Sequence, residues 1–353
     1  MTPRSFHALA WREGTARSCL EAVRAGGTAT DTDRALAADV DPAEVRARLD
    51  RAEARMVVPG DDGYPSALLD LPDPPAWLFV RGEGLGRGPP AVAIVGSRTC
   101  TPYGREVTAE LAGDLAAAGL TVVSGAARGI DAVAHEAVLG AGGRTVAVLG
   151  SGIDVAYPKS NGALIDRIVR SGAVVSEYPP GDPALPRRFP ARNRIVAALG
   201  RGVIVVEGAE RSGSLITAMF AGELGREVMA VPGPITAPLS AAPNGLIRDG
   251  GHLVASPDDV LGVLGLPSAA AARSGAEPSG PSEPARLPEE ERRILARLPG
   301  SPVTVDVAAS AAGVDARRAL RALAALELLG LVRSEGGRYR RAAPVRSGGE
   351  AAP

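Results

Sequence analysis

The sequence predicts an α/β protein: a doubly wound, mostly parallel sheet, with a small helical region before it and a small helical domain with a β-hairpin after it. Three observations carry this expectation. Near-continuous Val/Ile/Leu runs recur between residues 91 and 206, the mark of strands buried on both faces. Helix-length segments such as Gly104–Ala118 and Asp131–Ala141 alternate with them, as parallel strands require. Each strand runs into a polar loop, mostly glycine-rich, so the loops gather at the carboxyl edge of the sheet, where ligands of such sheets sit.

Composition bounds the rest. A chain of 353 residues predicts two or three domains. Aromatic residues make up only 3%, so the core must rely on Val, Leu, Ile and Ala. The formal net charge of −1 gives no global basic footprint, so any polyanion must be held by a local patch. Cys19 and Cys100 are the only cysteines and form neither a metal pattern nor an expected disulfide, which fits a reducing cytoplasm. No apolar run reaches the roughly 18–20 residues of a membrane span. The first residues lack the apolar core of a signal peptide, so the expectation is a cytoplasmic protein with no membrane partner.

Residues 1–55 read as a helical region, with helical spacing over Phe6–Arg12, Thr15–Arg24 and Pro42–Arg55. Asp41 stands where a cap belongs, with Pro42 at the first helical position and Glu44 at the third. The main domain is expected over 56–266. It opens with two short strands, around Met56–Val58 and Trp77–Val80, joined by proline turns and extending the sheet; Trp77 is expected in the core. Five strands follow: Ala91–Val95, Leu120–Val123, Thr145–Leu149, Ala173–Val175 and Val203–Val206.

Their loops carry the chemistry. Gly96-Ser97-Arg98 follows the first, and Ser124-Gly125-Ala126-Ala127-Arg128 the second. The third leads through Gly150–Asp154 to Tyr157-Pro158-Lys159-Ser160-Asn161, and the last through Glu207 to Arg211-Ser212-Gly213-Ser214. Glycine lets a backbone approach a ligand closely, and N–H groups at helix starts favour anions. The bland alternative is that Gly and Ser only make tight turns, but several such loops with arginines among them weaken it. Residues 187–194 hold four arginines, Arg187, Arg188, Arg192 and Arg194, around Phe189 and Asn193. Such a run is usually a solvated face; its place between two core strands points instead to a binding patch. Lys159 is the only lysine, in a chain that otherwise uses arginine, which suggests a site where a planar fork will not serve. Asn161 and Asn193 would either contact bases or hold loops, the second being favoured for Asn161. Tyr103, Tyr157 and Tyr178 offer stacking surfaces for bases, although packing beneath the loops is the expectation for Tyr157 and Tyr178.

No dinucleotide fingerprint, Walker loop, nucleophile elbow, His-Glu-x-x-His motif or metal-ligand cluster is present, so neither catalysis nor a cofactor is expected. One rival is a nucleotide hydrolase using Glu207, but Ser212 and Ser214 lack an activating base and His135 reads as a structural hydrogen-bonding residue. Residues 267–287 read as a Pro/Ser/Ala/Gly-rich linker. Residues 288–341 read as three helices, Leu287–Leu298, Val305–Ala312 and Asp315–Leu329, and a hairpin around Glu335–Gly337. The third helix carries Arg317, Arg318 and Arg321 near its start, with Leu320, Leu323 and Leu326 inward. This is a winged helix, a unit that reads duplex DNA or contacts protein, so a duplex-DNA regulator is the second rival. Residues 342–353 are expected to be disordered.

These stretches resemble the DNA-processing protein A (DprA, or Smf) family. The resemblance is carried by Gly96-Ser97-Arg98 with Tyr103-Gly104, Ser124–Asp131 with Ala134-His135, Gly150–Asp154 with Tyr157-Pro158, Phe189–Ile195, Ser212–Ala218 and Val231-Pro232-Gly233. It implies an extended Rossmann-like domain that binds single-stranded DNA, forms a homodimer and helps load the RecA recombinase during natural transformation. It nominates Ser97, Arg98 and Lys159 first, in the Gly96-Ser97-Arg98 and Tyr157-Pro158-Lys159 loops, then Arg192, Asn193 and Arg194. Ser124, Gly125, Arg128, Asn161, Ser212, Gly213 and Ser214 complete the expected nucleic-acid-binding set.

Overall fold

In the computed structural model of the chain, the described residues are 9, 12–13, 16–26, 30–39, 41–83, 85, 88–267, 288–298, 303–328, 331–335 and 338–341. They fall into two units, within 1–276 and 277–353.

The first unit begins with helices α1 (Ala16–Arg24), α2 (Asp31–Asp39) and α3 (Pro42–Arg51). Asp41 caps α3 by accepting the Ala43 N–H at 2.8 Å. Glu44 turns instead to Arg48, one turn on. The helix expected to reach Arg55 ends at Arg51, because the chain turns at Glu53 (φ +49°) into strand β1 (Arg55–Val57). Helix α2 was not foreseen. Its signal was a Thr30–Asp33 box: Asp33 accepts the Thr30 N–H at 2.9 Å, and Thr30 Oγ1 accepts the Asp33 N–H at 3.2 Å. Most of Phe6–Arg12 lies outside the described residues.

β1 pairs antiparallel with β2 (Leu78–Gly82), and β2 pairs antiparallel with β6 (Ala173–Ser176). The remaining strands are parallel: β3 (Ala91–Val95), β4 (Thr121–Ser124), β5 (Thr145–Val148), β6 (Ala173–Ser176), β7 (Gly202–Val205), β8 (Glu227–Ala230) and β9 (His252–Leu253). The order across the sheet is β1-β2-β6-β5-β4-β3-β7-β8-β9. The chain thus winds outward from β3 to β6, then returns to place β7 on the other side of β3, in register Ala93↔Val203. That reversal is the topological switch point, and it opens a crevice beyond the carboxyl ends of β3 and β7.

Helices α4 (Pro102–Ala117), α5 (Ile130–Gly140) and α10 (Pro257–Val263) cover one face, where Ile94, Leu115, Ile130 and Ile204 are fully buried. Helices α7 (Arg188–Leu199) and α8 (Gly213–Glu223) cover the other, over Ala93, Val123 and Val205. Helix α6 (Gly162–Ser171) packs Leu164, Ile165 and Ile168 near β5 and β6, and α9 (Ala241–Arg248) lies by β8. Each wholly buried Ile or Leu contributes about 1.5–3 kcal/mol by leaving water. Trp77 packs partly buried and donates its indole N–H to the Glu177 carbonyl at 3.1 Å.

The second unit joins α11 (Glu289–Arg297), α12 (Val305–Ala312) and α13 (Ala316–Leu328) to a small sheet. Its strands are β10 (Val303–Thr304), β11 (Val332–Glu335) and β12 (Arg338–Arg341), in the order β10-β12-β11. Ile294, Leu323, Leu326 and Val332 form its core. Asp315 caps α13 through the Arg318 N–H at 2.9 Å. Leu320 does not point inward; it is 47% exposed, because the buried stripe runs Ala319, Ala322, Leu323, Leu326. Of the linker expected over 267–287, residues 268–287 lie outside the described residues, as do residues 336–337 of the expected hairpin turn and the expected disordered tail at 342–353. Among the described residues no helix is long and apolar enough to cross a membrane, and no group of three or more His, Cys, Asp or Glu side chains is placed to hold a metal.

Candidate nucleic-acid interface

The crevice at the switch point is an open cleft of about 560 Å³. The loop after β3 forms one side with Gly96, Ser97, Arg98 and Thr99; the start of α8 forms another with Ser212, Gly213 and Ser214. Helix α7 lies along the cleft with Phe189, Arg192, Asn193 and Val196, a stripe at helical spacing. Tyr157, Gly125 and Asp131 also line it.

Close backbone contacts explain the glycines. A Cβ on Gly96 would sit 2.9 Å from the Glu207 carbonyl, and one on Gly129, where φ is +76°, would sit 2.2 Å from the Ser97 carbonyl. The Ser97 N–H donates to the Glu207 carbonyl at 2.7 Å, so the ends of β3 and β7 are locked together. Gly213 differs: nothing lies within 4 Å of a Cβ there, and it is exposed at the start of the 11-residue helix α8. Ser212 caps that helix, its hydroxyl 2.8 Å from the Ser214 hydroxyl, and the Asn193 amide donates to the Gly213 carbonyl at 3.2 Å.

The aromatic wall departs in part from the expectation. Tyr157 does not pack beneath its loop; it is 46% exposed, with its ring centroid 5.1 Å from that of Phe189. The Arg98 guanidinium lies over the other ring of this pair, 5.4 Å from the Phe189 centroid. Tyr178 is partly buried under Arg188, and the Tyr103 hydroxyl donates to the Pro232 carbonyl at 2.7 Å, outside the cleft.

Three nominated residues serve the scaffold. Arg194 points away from the cleft and is buried. It grips both oxygens of Glu177 at 2.7 and 2.8 Å and reaches Asp73 at 3.2 Å. Burial pulls its pKa down, but the hydrogen bonds and charge of Glu177, with Asp73, more than reverse this, so the guanidinium is held above its ordinary range. The Ser124 side chain is fully buried and donates to the Ile94 carbonyl at 2.6 Å. Asn161 donates to the carbonyls of Ala126 and Ala127 at 3.0 and 3.3 Å, tying the Lys159 turn to the loop after β4. Lys159 and Arg128 are exposed on these two joined segments and do not line the cleft wall.

Arg192 lines the cleft yet is buried, so it is not part of a solvated basic run. Its Nη1 donates to the Gly125 carbonyl at 2.6 Å and also to the Val148 carbonyl. Burial lowers its pKa to about 10, the Asp131 charge opposing the shift, so it stays cationic at neutral pH. Asp131 is held above its ordinary range: burial pushes its carboxyl up, and the Arg192 charge only partly offsets this.

The enzyme-like residues are committed elsewhere. The Glu207 carboxylate, buried at the start of α4, accepts the Thr101 N–H at 2.9 Å and its hydroxyl at 2.5 Å. His135 is fully buried, and burial drives its pKa down to about 3. The Thr145 hydroxyl donates to the Val122 carbonyl at 2.7 Å and therefore accepts from His135 Nδ1 at 2.7 Å. Asp131 was not nominated among the binding residues. Its signal was an acid in the first turn of a helix that follows a glycine loop.

A doubly wound sheet with a cleft of guanidinium, hydroxyl and aromatic groups at its switch point defines a Rossmann-like binding protein, here followed by a winged helix. Residues 55–265 match the profile of DNA recombination-mediator protein A, and residues 277–338 match the DprA winged helix domain. The chain belongs to the DprA family. Among its relatives, the Smf protein of Escherichia coli is 41% identical over 297 residues, covering 82% of this chain and 79% of that one. The crystal structure of DNA processing protein A from Streptococcus pneumoniae shares 41% identity and a TM-score of 0.63, over 69% of this chain and 85% of that one. DNA processing protein A from Helicobacter pylori, whose structure describes a single-stranded DNA binding mode, shares 30% identity and a TM-score of 0.55, over 60% and 95%.

Proposed function

We propose that this protein binds single-stranded DNA in the switch-point cleft and, as a recombination mediator, delivers the strand to a RecA-type recombinase during natural transformation. The observation that carries this reading is that one cleft unites Arg98, the Ser212–Ser214 hydroxyls at a helix start, and an aromatic pair of exposed Tyr157 and half-buried Phe189. The hydroxyls and the helix start suit a phosphate. The Tyr157–Phe189 wall suits a base, in a sequence-tolerant way. Ser97, Gly125 and Asn193 border the strand, and the exposed Lys159 and Arg128 extend its electrostatic reach. The single-stranded DNA binding of the Helicobacter pylori relative supports the reading. The protein acts as a homodimer, in the cytoplasm, and as a binder rather than a catalyst.

The test is binding of oligo-dT and of duplex across a salt series, for the wild type and for the Arg98→Ala/Lys159→Ala variant. The expected result is single-strand preference, with the variant weaker and its log–log salt slope shallower by roughly 1.4, about 0.7 per lost phosphate contact. No single-strand preference, or an unaffected variant, refutes the site. The dimer is tested by light scattering, where a monomer at micromolar concentration refutes it.

A further inference from the structure

The loop after β4 is held from both sides by opposite charges. From α5, the Asp131 carboxylate accepts the N–H groups of Gly125 and Ala127 at 3.2 and 3.3 Å. From α7, Arg192 donates to the Gly125 carbonyl at 2.6 Å and to the Val148 carbonyl at the end of β5. A Cβ on Gly125 would lie 2.5 Å from the guanidinium, so only glycine lets the two lie in contact. Between the two captured amides sits Ala126, fully buried with φ +53°, in the left-handed region that alanine avoids. The conformation persists because the N–H groups on either side of it are both drawn to one carboxylate.

We infer that Asp131 is a positioning residue for the nucleic-acid site: its carboxylate, acting through Gly125–Ala127 and Arg192, fixes the loop after β4 and the α7 face that carries Phe189 and Asn193. This rests on the single-stranded DNA reading of the cleft. Asp131 is an anion on the wall of a site for a polyanion. If it acted only by its charge, removing that charge would tighten DNA binding. The positioning role predicts the opposite sign.

Asp131→Asn is the test, with three measurements on the full chain. Oligo-dT binding weakens roughly tenfold while the salt slope stays that of the wild type, because the phosphate contacts remain but are misplaced. Amide hydrogen exchange of the free protein speeds up at Gly125 and Ala127, while β3 and β7 amides are unchanged. Ala126→Gly added to Asp131→Asn restores part of the affinity, since glycine holds the left-handed conformation unaided. Should Asp131→Asn fail to fold, Arg192→Lys carries the exchange and affinity tests, keeping the charge while losing the fork that spans two carbonyls. Tighter or unchanged DNA binding overturns the inference, as does unchanged exchange at Gly125 and Ala127, a readout that does not depend on DNA. If Arg98→Ala/Lys159→Ala retains full binding, the cleft reading fails. If that variant loses binding and Asp131→Asn does not, only the positioning role fails.

Discussion

Replacing Arg194 with alanine separates scaffold from site within a single arginine-rich stretch. Arg194 is two residues from Arg192 and one from Asn193, yet its guanidinium is a two-pronged clamp on Glu177, with Asp73 behind it. Its side chain is 9% exposed, that of Glu177 19% and that of Asp73 53%. Breaking a buried pair from one side costs about 3–5 kcal/mol, since the abandoned charge stays out of water. Here Glu177 keeps a fifth of its exposure and Asp73 about half, so solvent screening reduces the expectation to about 2–3 kcal/mol. For a unit of this size that lowers Tm by roughly 5–10 °C. Denaturant and thermal unfolding read the loss, and Arg194→Ala/Glu177→Gln recovers more than half of it, because the carboxylate then left without its partner is Asp73, which is 53% exposed. Oligo-dT affinity of the folded variant stays within about twofold, well under 1 kcal/mol. Unchanged stability would refute the clamp; wild-type stability with lost DNA binding would return Arg194 to the site.

Two further outcomes follow from the same geometry. Gly129→Ala places a Cβ 2.2 Å from the Ser97 carbonyl at φ +76° and is expected to cost at least about 2–3 kcal/mol. Gly213→Ala, with open space around it, stays within about 0.5 kcal/mol; comparable urea midpoints for the two would contradict this. His135, with its pKa depressed to about 3 by burial, binds no proton in the folded state at pH 5, whereas the unfolded chain takes one up below about 6.5. Its contribution is therefore present above pH 6.5 and lost as pH falls, by about 1.4 kcal/mol per unit. Compared with His135→Asn, the wild type should lose more stability between pH 7 and pH 5; parallel pH profiles would place His135 in contact with solvent.

The sheet was legible because strands buried on both faces write themselves as uninterrupted Val/Ile runs, and the expected strands match β3 to β7 within one or two residues. The two-residue β9 left no run to read. Within the site, legibility stopped at helical phase. Residues 187–194 looked like one cationic patch, but an α-helix turns 100° per residue, so Phe189, Arg192, Asn193 and Val196 share the cleft face while Arg194 meets Glu177. The same phase turned Leu320 outward beside the buried Ala319. Pairings between distant segments, such as Arg194 with Asp73 or Glu207 with Thr101, leave no local trace at all.

The loops also use their backbone N–H groups differently from what their glycines suggested. Ser97, Gly125, Ala127 and Ser214 all direct their N–H groups to protein partners: the Glu207 carbonyl, Asp131 for the two middle residues, and the Ser212 hydroxyl. At Gly96, Gly125 and Gly129 glycine is required for close contact within the protein, whereas Gly213 stands open in the cleft. In the proposed single-stranded DNA site these four N–H groups are therefore committed to the protein, and Arg98, Asn193 and the serine hydroxyls carry the contacts beside the open start of α8. A site of that kind keeps its shape without a ligand, and a ligand gains affinity by neutralising guanidinium charge, a gain that salt erodes. Removing side chains at the rim should therefore change affinity and salt slope together, whereas removing the Asp131 clamp should change affinity alone.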